Sequence, residues 1–196
     1  MSQQLDKLAI AALIAEERHW RDRADWDRMA AAYQPGCKVR LVWFQGTAAD
    51  FLQASRAGGR GGVTKHRLGP SIVDVSGDRA VAETSTVVET RTDQDGIAVE
   101  LFVYCRYLNR LSRDDDGAWR LASVDCICEK DTVRAVYPDD TLKLDRELLD
   151  TYRPSYRFLS YNMYSQGMTP PPDLPGDDRP DLCESIYAAA RRWLRV

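Results

Sequence analysis

The stretch "TKHRLGPSIVDVSGDRAVAETSTVVETRTDQDGIAVELFVYCRYLNRLSRDDDGAWRLASVDCICEK" (residues 64–130) decides the fold. It is rich in Val, Ile, Thr and aromatic residues, and "SGD", "DQDG" and "DDDG" divide it into strand-length runs. Each divider supplies a glycine where a tight hairpin turn needs a positive φ. Strands joined by turns this short must lie side by side and antiparallel, so the spacing predicts a four-stranded meander. The run over residues 97–111 is nearly all apolar or aromatic. It is therefore expected at the sheet's centre, covered on both faces.

Upstream, the pattern is helical. Leu5, Leu8, Ile10, Ala12 and Leu13 recur at helical spacing, and "ADWDRMAAAY" begins a second helix with Asp25 as a candidate cap. "QPGC" breaks that pattern, and "KVRLVWFQG" reads as a strand ending at Gly46. Thr47 is placed to cap a short helix, "AADFLQASR", which dissolves in "AGGRGG". Helices followed by a meander give an α+β fold: a curved, mostly antiparallel sheet wrapped around the N-terminal helices, forming a cone with a pocket inside. The composition shifts after residue 135, where two helical stretches flank "TPPPDLPGDDRP". The expected organisation is a cone domain over residues 1–135 and a helical extension over 136–196, packed on that domain or on a neighbouring subunit.

The 196 residues carry 44% hydrophobic and 29% charged side chains and a net charge of −3, the balance of a globular protein without the basic stripe that nucleic acid requires. No apolar run reaches membrane-spanning length and the N-terminus lacks a signal-peptide pattern, so a cytoplasmic protein that binds neither nucleic acid nor membrane is expected. The five cysteines are odd in number and lack CxxC spacing, which points to buried free thiols. "GGRGG" (58–62) lacks the lysine of a phosphate loop and reads as a flexible loop near a pocket mouth. With two histidines and scattered carboxylates there is no convincing metal set, so a reaction needing no metal or cofactor is expected.

Histidine can take and return a proton near neutrality, and a carboxylate partner raises its basicity, which makes His66 with Asp22 a candidate pair. Residue types alone leave a second reading: a strand-edge histidine and a solvated helix aspartate. His19, one helical turn before Asp22, is either a second imidazole near the site or a half-buried neighbour of Trp20. Arg18 and Arg21 either hold an anionic ligand or belong to a charge-laced exposed face. An inward set of Leu41, Trp43, Phe102, Tyr104 and Arg106 would make a flat-sided, apolar interior suited to an aromatic or alicyclic ligand, with Tyr104 as a proton donor. The same side chains would equally serve as plain core.

Three motifs carry a resemblance. "DRADWDRMAAAY" has an aspartate three residues before an acidic-Trp pair, "TKHRLGP" has a Thr-x-His-x-Leu-Gly strand opening, and "GAWRLASVDCICEKD" opens a last strand on Gly-x-Trp. In this order, over roughly residues 5–135, the chain resembles the SnoaL-like family of the nuclear-transport-factor-2 fold, in the branch of scytalone dehydratase, bile acid 7α-dehydratase and hexachlorocyclohexane dehydrochlorinase. The resemblance implies a cone-shaped α+β barrel with a catalytic dyad of Asp22 and His66. The family's catalytic tyrosine, the acid that assists departure of the leaving group, does not carry over, since its positions hold Arg21 or Glu17 here, and a further polar residue falls on Glu89 or Thr90. It also implies a homodimer or homotrimer.

Together these expectations describe a cofactor-free lyase acting on a small aromatic or polycyclic substrate. Its reaction is a dehydratase-like elimination, or a C–C cleavage releasing formaldehyde from a lignin-derived diaryl compound. Two other classes stay open: an isomerase or epoxide hydrolase using Glu83, Glu89 or Glu129, and a non-catalytic binding or assembly subunit.

Overall fold

The computed structural model describes residues 3–58 and 63–195. Helix α1 (Gln3–Arg23) is followed by α2 (Trp26–Ala31), which starts at Asp25, whose side chain accepts the Arg28 N–H. Strand β1 (Tyr33–Arg40) leads through a bend to the short β2 (Gln45–Thr47) and then α3 (Ala48–Ala57), capped by Thr47. The meander is β3 (Val63–Ser76), β4 (Arg79–Gln94), β5 (Ile97–Arg113) and β6 (Trp119–Ala135). Three more helices follow: α4 (Arg146–Thr151), α5 (Arg157–Ser165) and α6 (Pro180–Trp193).

The strands form one curved, unclosed sheet in the order β2-β1-β6-β5-β4-β3, antiparallel except where β1 runs parallel to β6. The three meander turns fall where the glycines placed them, with Gly77, Gly96 and Gly117 all at positive φ. β5 lies between β4 and β6, near the middle of the sheet, as its apolar run requires.

The first strand differs from its expected form. "QPGC" belongs to β1, where Gly36 at φ +77 lets the ladder with β6 shift register, and the chain turns at residues 41–44, so Leu41 and Trp43 sit in a bend. Val and aromatic residues there are buried against α3, not paired in a ladder: Trp43, Phe44 and Phe51 form a triangle of rings 5.4–5.7 Å apart. Tertiary packing has overridden β propensity.

α1 lies against the inner side of the sheet, with Ile10 and Ile14 in the main core beside Met29, Phe51 and Leu121. The C-terminal segment packs on the sheet of its own chain. α6 sets Cys183, Ile186 and Ala190 against Leu108 and Ile127 on the outer face, and Tyr187 donates to Glu83 at 2.6 Å. α5 closes over the inner side, its first turn held where Asp131 of β6 accepts the Leu159 N–H at 2.8 Å. Among the described residues no helix is long and apolar enough to cross a membrane, and all five cysteines are free and buried.

Candidate active site

Between α1, the bend after β1, the inner face of β3–β6 and α5 lies a cavity of about 160 Å³. Its walls are mostly apolar: Leu41, Trp43, Val88, Leu101, Val103, Leu159 and Met163. Its polar lining includes residues of α1 and β3 (Arg18, Arg21, His66), Ser55 of α3, and a group of Thr92, Asn162 and Gln166 on β4 and at α5. Asp22, in the last turn of α1, grips His66 through both carboxylate oxygens, accepting the His66 backbone N–H at 2.7 Å and meeting the imidazole Nδ1 at 2.7 Å. Lys65 donates to the Asp22 carbonyl at 2.7 Å, which fastens the helix end to the strand. A strand edge supplies this fit: β3 ends the sheet, so its residue 66 N–H is free to bond a side chain.

Burial works against the Asp22 charge, yet the hydrogen bonds and charge of His66 and the nearby Arg21 hold the carboxyl below its ordinary value. An ionised carboxylate only accepts, so Nδ1 carries the ring hydrogen and Nε2 keeps its lone pair. His66 lines the cavity, and Nε2 has no hydrogen-bond partner among the described residues. The ring is 4% exposed; burial, with the repulsion of Arg18 and Arg21 and against the pull of Asp22, lowers the imidazole to about 4. At neutral pH it is uncharged and available as a proton acceptor.

The Tyr107 ring lies 6.3 Å from the His66 ring, in the cavity wall. Burial pushes its phenol well above the ordinary value, so the hydroxyl stays protonated, and it has no hydrogen-bond partner among the described residues. Arg18, fully inside, pairs with Glu17, donates to the Tyr33 hydroxyl at 3.2 Å, and lies over the Phe51 and Tyr107 rings at 5.7 and 5.5 Å. Tyr33 in turn donates to Glu17.

A family model for the SnoaL-like domain matches residues 2–125. The chain belongs to the SnoaL-like family. Pea pathogenicity protein 2 of Fusarium vanettenii is 28% identical over 201 residues, covering 97% of this chain and 86% of that one. The solved structure of a hexachlorocyclohexane dehydrochlorinase superposes with a TM-score of 0.61 at 13% identity, covering 72% of this chain and 97% of that one. A protein from Novosphingobium aromaticivorans, assigned as a scytalone dehydratase, gives 0.55 at 19% identity over 71% and 97%. At such identities the likeness of the two structures is one of fold.

On this SnoaL-like sheet, His66, Leu41 and Trp43 line the cavity and Asp22 reaches it through His66, whereas the other expected site residues do not. Phe102, Tyr104 and Arg106 project from the opposite face of β5, and the inward set is Leu101, Val103, Cys105 and Tyr107. Tyr104 lies under Lys130 at 5.1 Å and Phe102 under Arg134 at 4.9 Å, while Arg106 pairs with Glu83, Glu129 and Asp177. The error has a physical source. A central strand apolar on both faces lacks the alternation that tells inside from outside, and a shift of one residue exchanges every side chain. Glu89 likewise faces outward, paired with Arg67 at 3.1 Å, and its neighbour Thr90 lines the cavity. His19 is exposed, and Arg18 is buried despite its charge-rich surroundings. Residues 59–62 of the glycine-rich run lie outside the described residues, and Gly58 borders the cavity.

Sequence reasoning missed Tyr107 for the same parity reason. It also missed the wall supplied by α5, namely Leu159, Asn162, Met163 and Gln166. The aromatic and apolar content of that segment was the available signal; which cavity it covers is a matter of tertiary packing alone.

Proposed function

We propose that this protein is a lyase in which His66 takes a proton from a small aromatic or polycyclic substrate, oriented by Asp22, in a reaction that uses no cofactor. The observation that carries this reading is the two-pronged Asp22–His66 contact that sets His66 in the wall of a largely apolar cavity. Asp22 fixes the tautomer and stabilises the imidazolium that forms, and Nε2 points the lone pair at the ligand space. In a dehydration, Nε2 takes hydrogen from carbon and that C–H pair becomes the new C=C bond. The C–O bond then breaks toward oxygen, and the departing hydroxide recovers a proton from the imidazolium to leave as water. Tyr107, protonated and unpartnered, is placed to donate a hydrogen bond to the departing oxygen, the work expected of the family's tyrosine. Positioned proton transfer of this kind contributes about 10²–10⁴-fold in rate.

The isomerase or hydrolase alternative needs a carboxylate base in the cavity. Glu83 and Glu129 are tied to Arg106, and Glu89 to Arg67, all outside it. An assembly subunit would have a filled interior or an exposed His66, and this chain has neither.

The test is turnover of a panel of hydroxylated diaryl and polyketide-like compounds, with loss of water or of formaldehyde followed by mass spectrometry. His66→Ala is expected to lower the rate on any accepted compound by about 10²–10⁴-fold. Unchanged turnover would make His66 a bystander and end the proposal.

A further inference from the structure

Among the described residues, four buried side-chain polar atoms lack a hydrogen-bond partner: Arg18 Nη1, Arg21 Nε, Ser55 Oγ and Asp131 Oδ1. The first three belong to residues that line the cavity beside His66. A buried polar atom without a partner costs stability, and three on residues that line the same space mark where a ligand atom would offset that cost.

The donor set identifies the ligand's chemistry. A guanidinium donates and never accepts, so two of the three open positions require an acceptor. Arg18 is occupied along one side by Glu17 and Tyr33 and held flat over the Phe51 and Tyr107 rings, leaving Nη1 unpaired. Arg21, on the same helix, has only Asp22 as a counterion, at 3.6 Å, and both oxygens of that carboxylate are taken up by His66. The groups around this end are thus Glu17 and Asp22 against Arg18, Arg21 and Lys65, one positive charge in excess. A planar, charged acceptor fits rigid guanidinium edges better than a neutral carbonyl does.

We infer that Arg18 and Arg21, with Ser55 from α3, form a subsite for a carboxylate borne by an otherwise apolar aromatic ligand. The subsite rests on reading the cavity as a substrate pocket. It implies that the protein acts on aromatic acids, with the ring against Leu41, Val103 and Met163 and the carboxylate at the α1 end. Arg18 and Arg21 also repel a proton on His66, adding to the larger effect of burial and opposing the hydrogen bond of Asp22. A carboxylate laid on them offsets that repulsion, so an acid substrate strengthens the base it is about to meet, and a neutral analogue does not.

Calorimetric titration of the full chain at neutral pH with naphthoate and with naphthamide, its uncharged isostere, tests the subsite without relying on turnover. Naphthoate is expected to bind about tenfold more tightly, a difference on the scale of one charged hydrogen bond. The preference should vanish in Arg21→Gln and shrink in Ser55→Ala, the milder substitution if the first variant is poorly folded. Equal affinities for the two compounds in the unaltered protein, no binding of either, or a preference that survives both substitutions would each overturn the inference. His66→Ala separates this outcome from the lyase reading. A naphthoate preference alongside turnover indifferent to His66 sinks only the lyase, and a missing preference alongside turnover dependent on His66 sinks only the subsite.

Discussion

The two ends of α1 are built from the same residue types and do opposite things. Near the N-terminus, Asp6 accepts from Arg113 at 2.6 Å and from the Trp119 indole at 3.1 Å, while Arg113 stacks on Trp119 at 4.5 Å and also reaches Asp78. These hydrogen bonds hold the Asp6 carboxyl below its ordinary value, and no donor in the cluster is left over. At the C-terminal end, Glu17, Arg18, Arg21 and Asp22 are also buried or half-buried, yet two guanidinium nitrogens on residues that line a cavity remain unpaired. A polar cluster that satisfies itself ties a helix to a sheet. A cluster that leaves buried donors unpaired beside a cavity is incomplete until an acceptor is supplied.

Because of that difference, single substitutions at the two ends must affect different measurements. Asp22→Asn is expected to have the largest effect, a loss of about 10²-fold or more in turnover with the fold retained. The amide oxygen can keep the backbone bond, but its NH₂ then faces Nδ1, which moves the ring hydrogen to Nε2 and removes the lone pair. Turnover within twofold of the unaltered protein would break the comparison. Asp6→Ala should do the reverse, costing about 2 kcal/mol in urea unfolding because Arg113 and Trp119 lose a buried acceptor, while the rate per folded molecule is unchanged.

The smallest effect sharpens the contrast through pH. His66, lowered to about 4, binds its proton less readily in the fold than the unfolded chain does near 6.5, so stability is lost as pH falls across that interval. Asp131 acts in the opposite sense. Burial raises its carboxyl to about 6, so the folded chain holds that proton more tightly than the unfolded one and stability is lost as pH rises toward 6. Asp131→Asn retains an acceptor for the Leu159 N–H and removes the buried charge. It should therefore add about 1 kcal/mol at neutral pH, with the gain vanishing near pH 4, as read from denaturant midpoints across that range. An equal gain at both pH values would assign it to packing.

Local chemistry made much of this molecule legible in its sequence. Asp25 and Thr47 are caps because their oxygens reach an N–H three residues on, and Gly77, Gly96 and Gly117 are turns because a side chain would strain the positive φ. The order of these elements settles an α+β meander, and the resemblance of "DRADWDRMAAAY" and "TKHRLGP" to the family's motifs marked Asp22 and His66 before any distance was known. What the sequence left open was each choice between two faces. On β5, apolar on both sides, only the packing of α1 and α5 on one face and α6 on the other decides that Tyr107 lines the cavity and Tyr104 does not. Arg18 reads either as an anion holder or as part of an exposed face in "EERHWRDR", and it is buried because Tyr33 and the Phe51 and Tyr107 rings converge on it from other parts of the chain, with the adjacent Glu17 as its counterion. Propensity, capping and turns depend on neighbours along the chain, so sequence determines them; which face is covered, and which donors go unanswered, depends on residues dozens of positions away, and only the tertiary structure decides it.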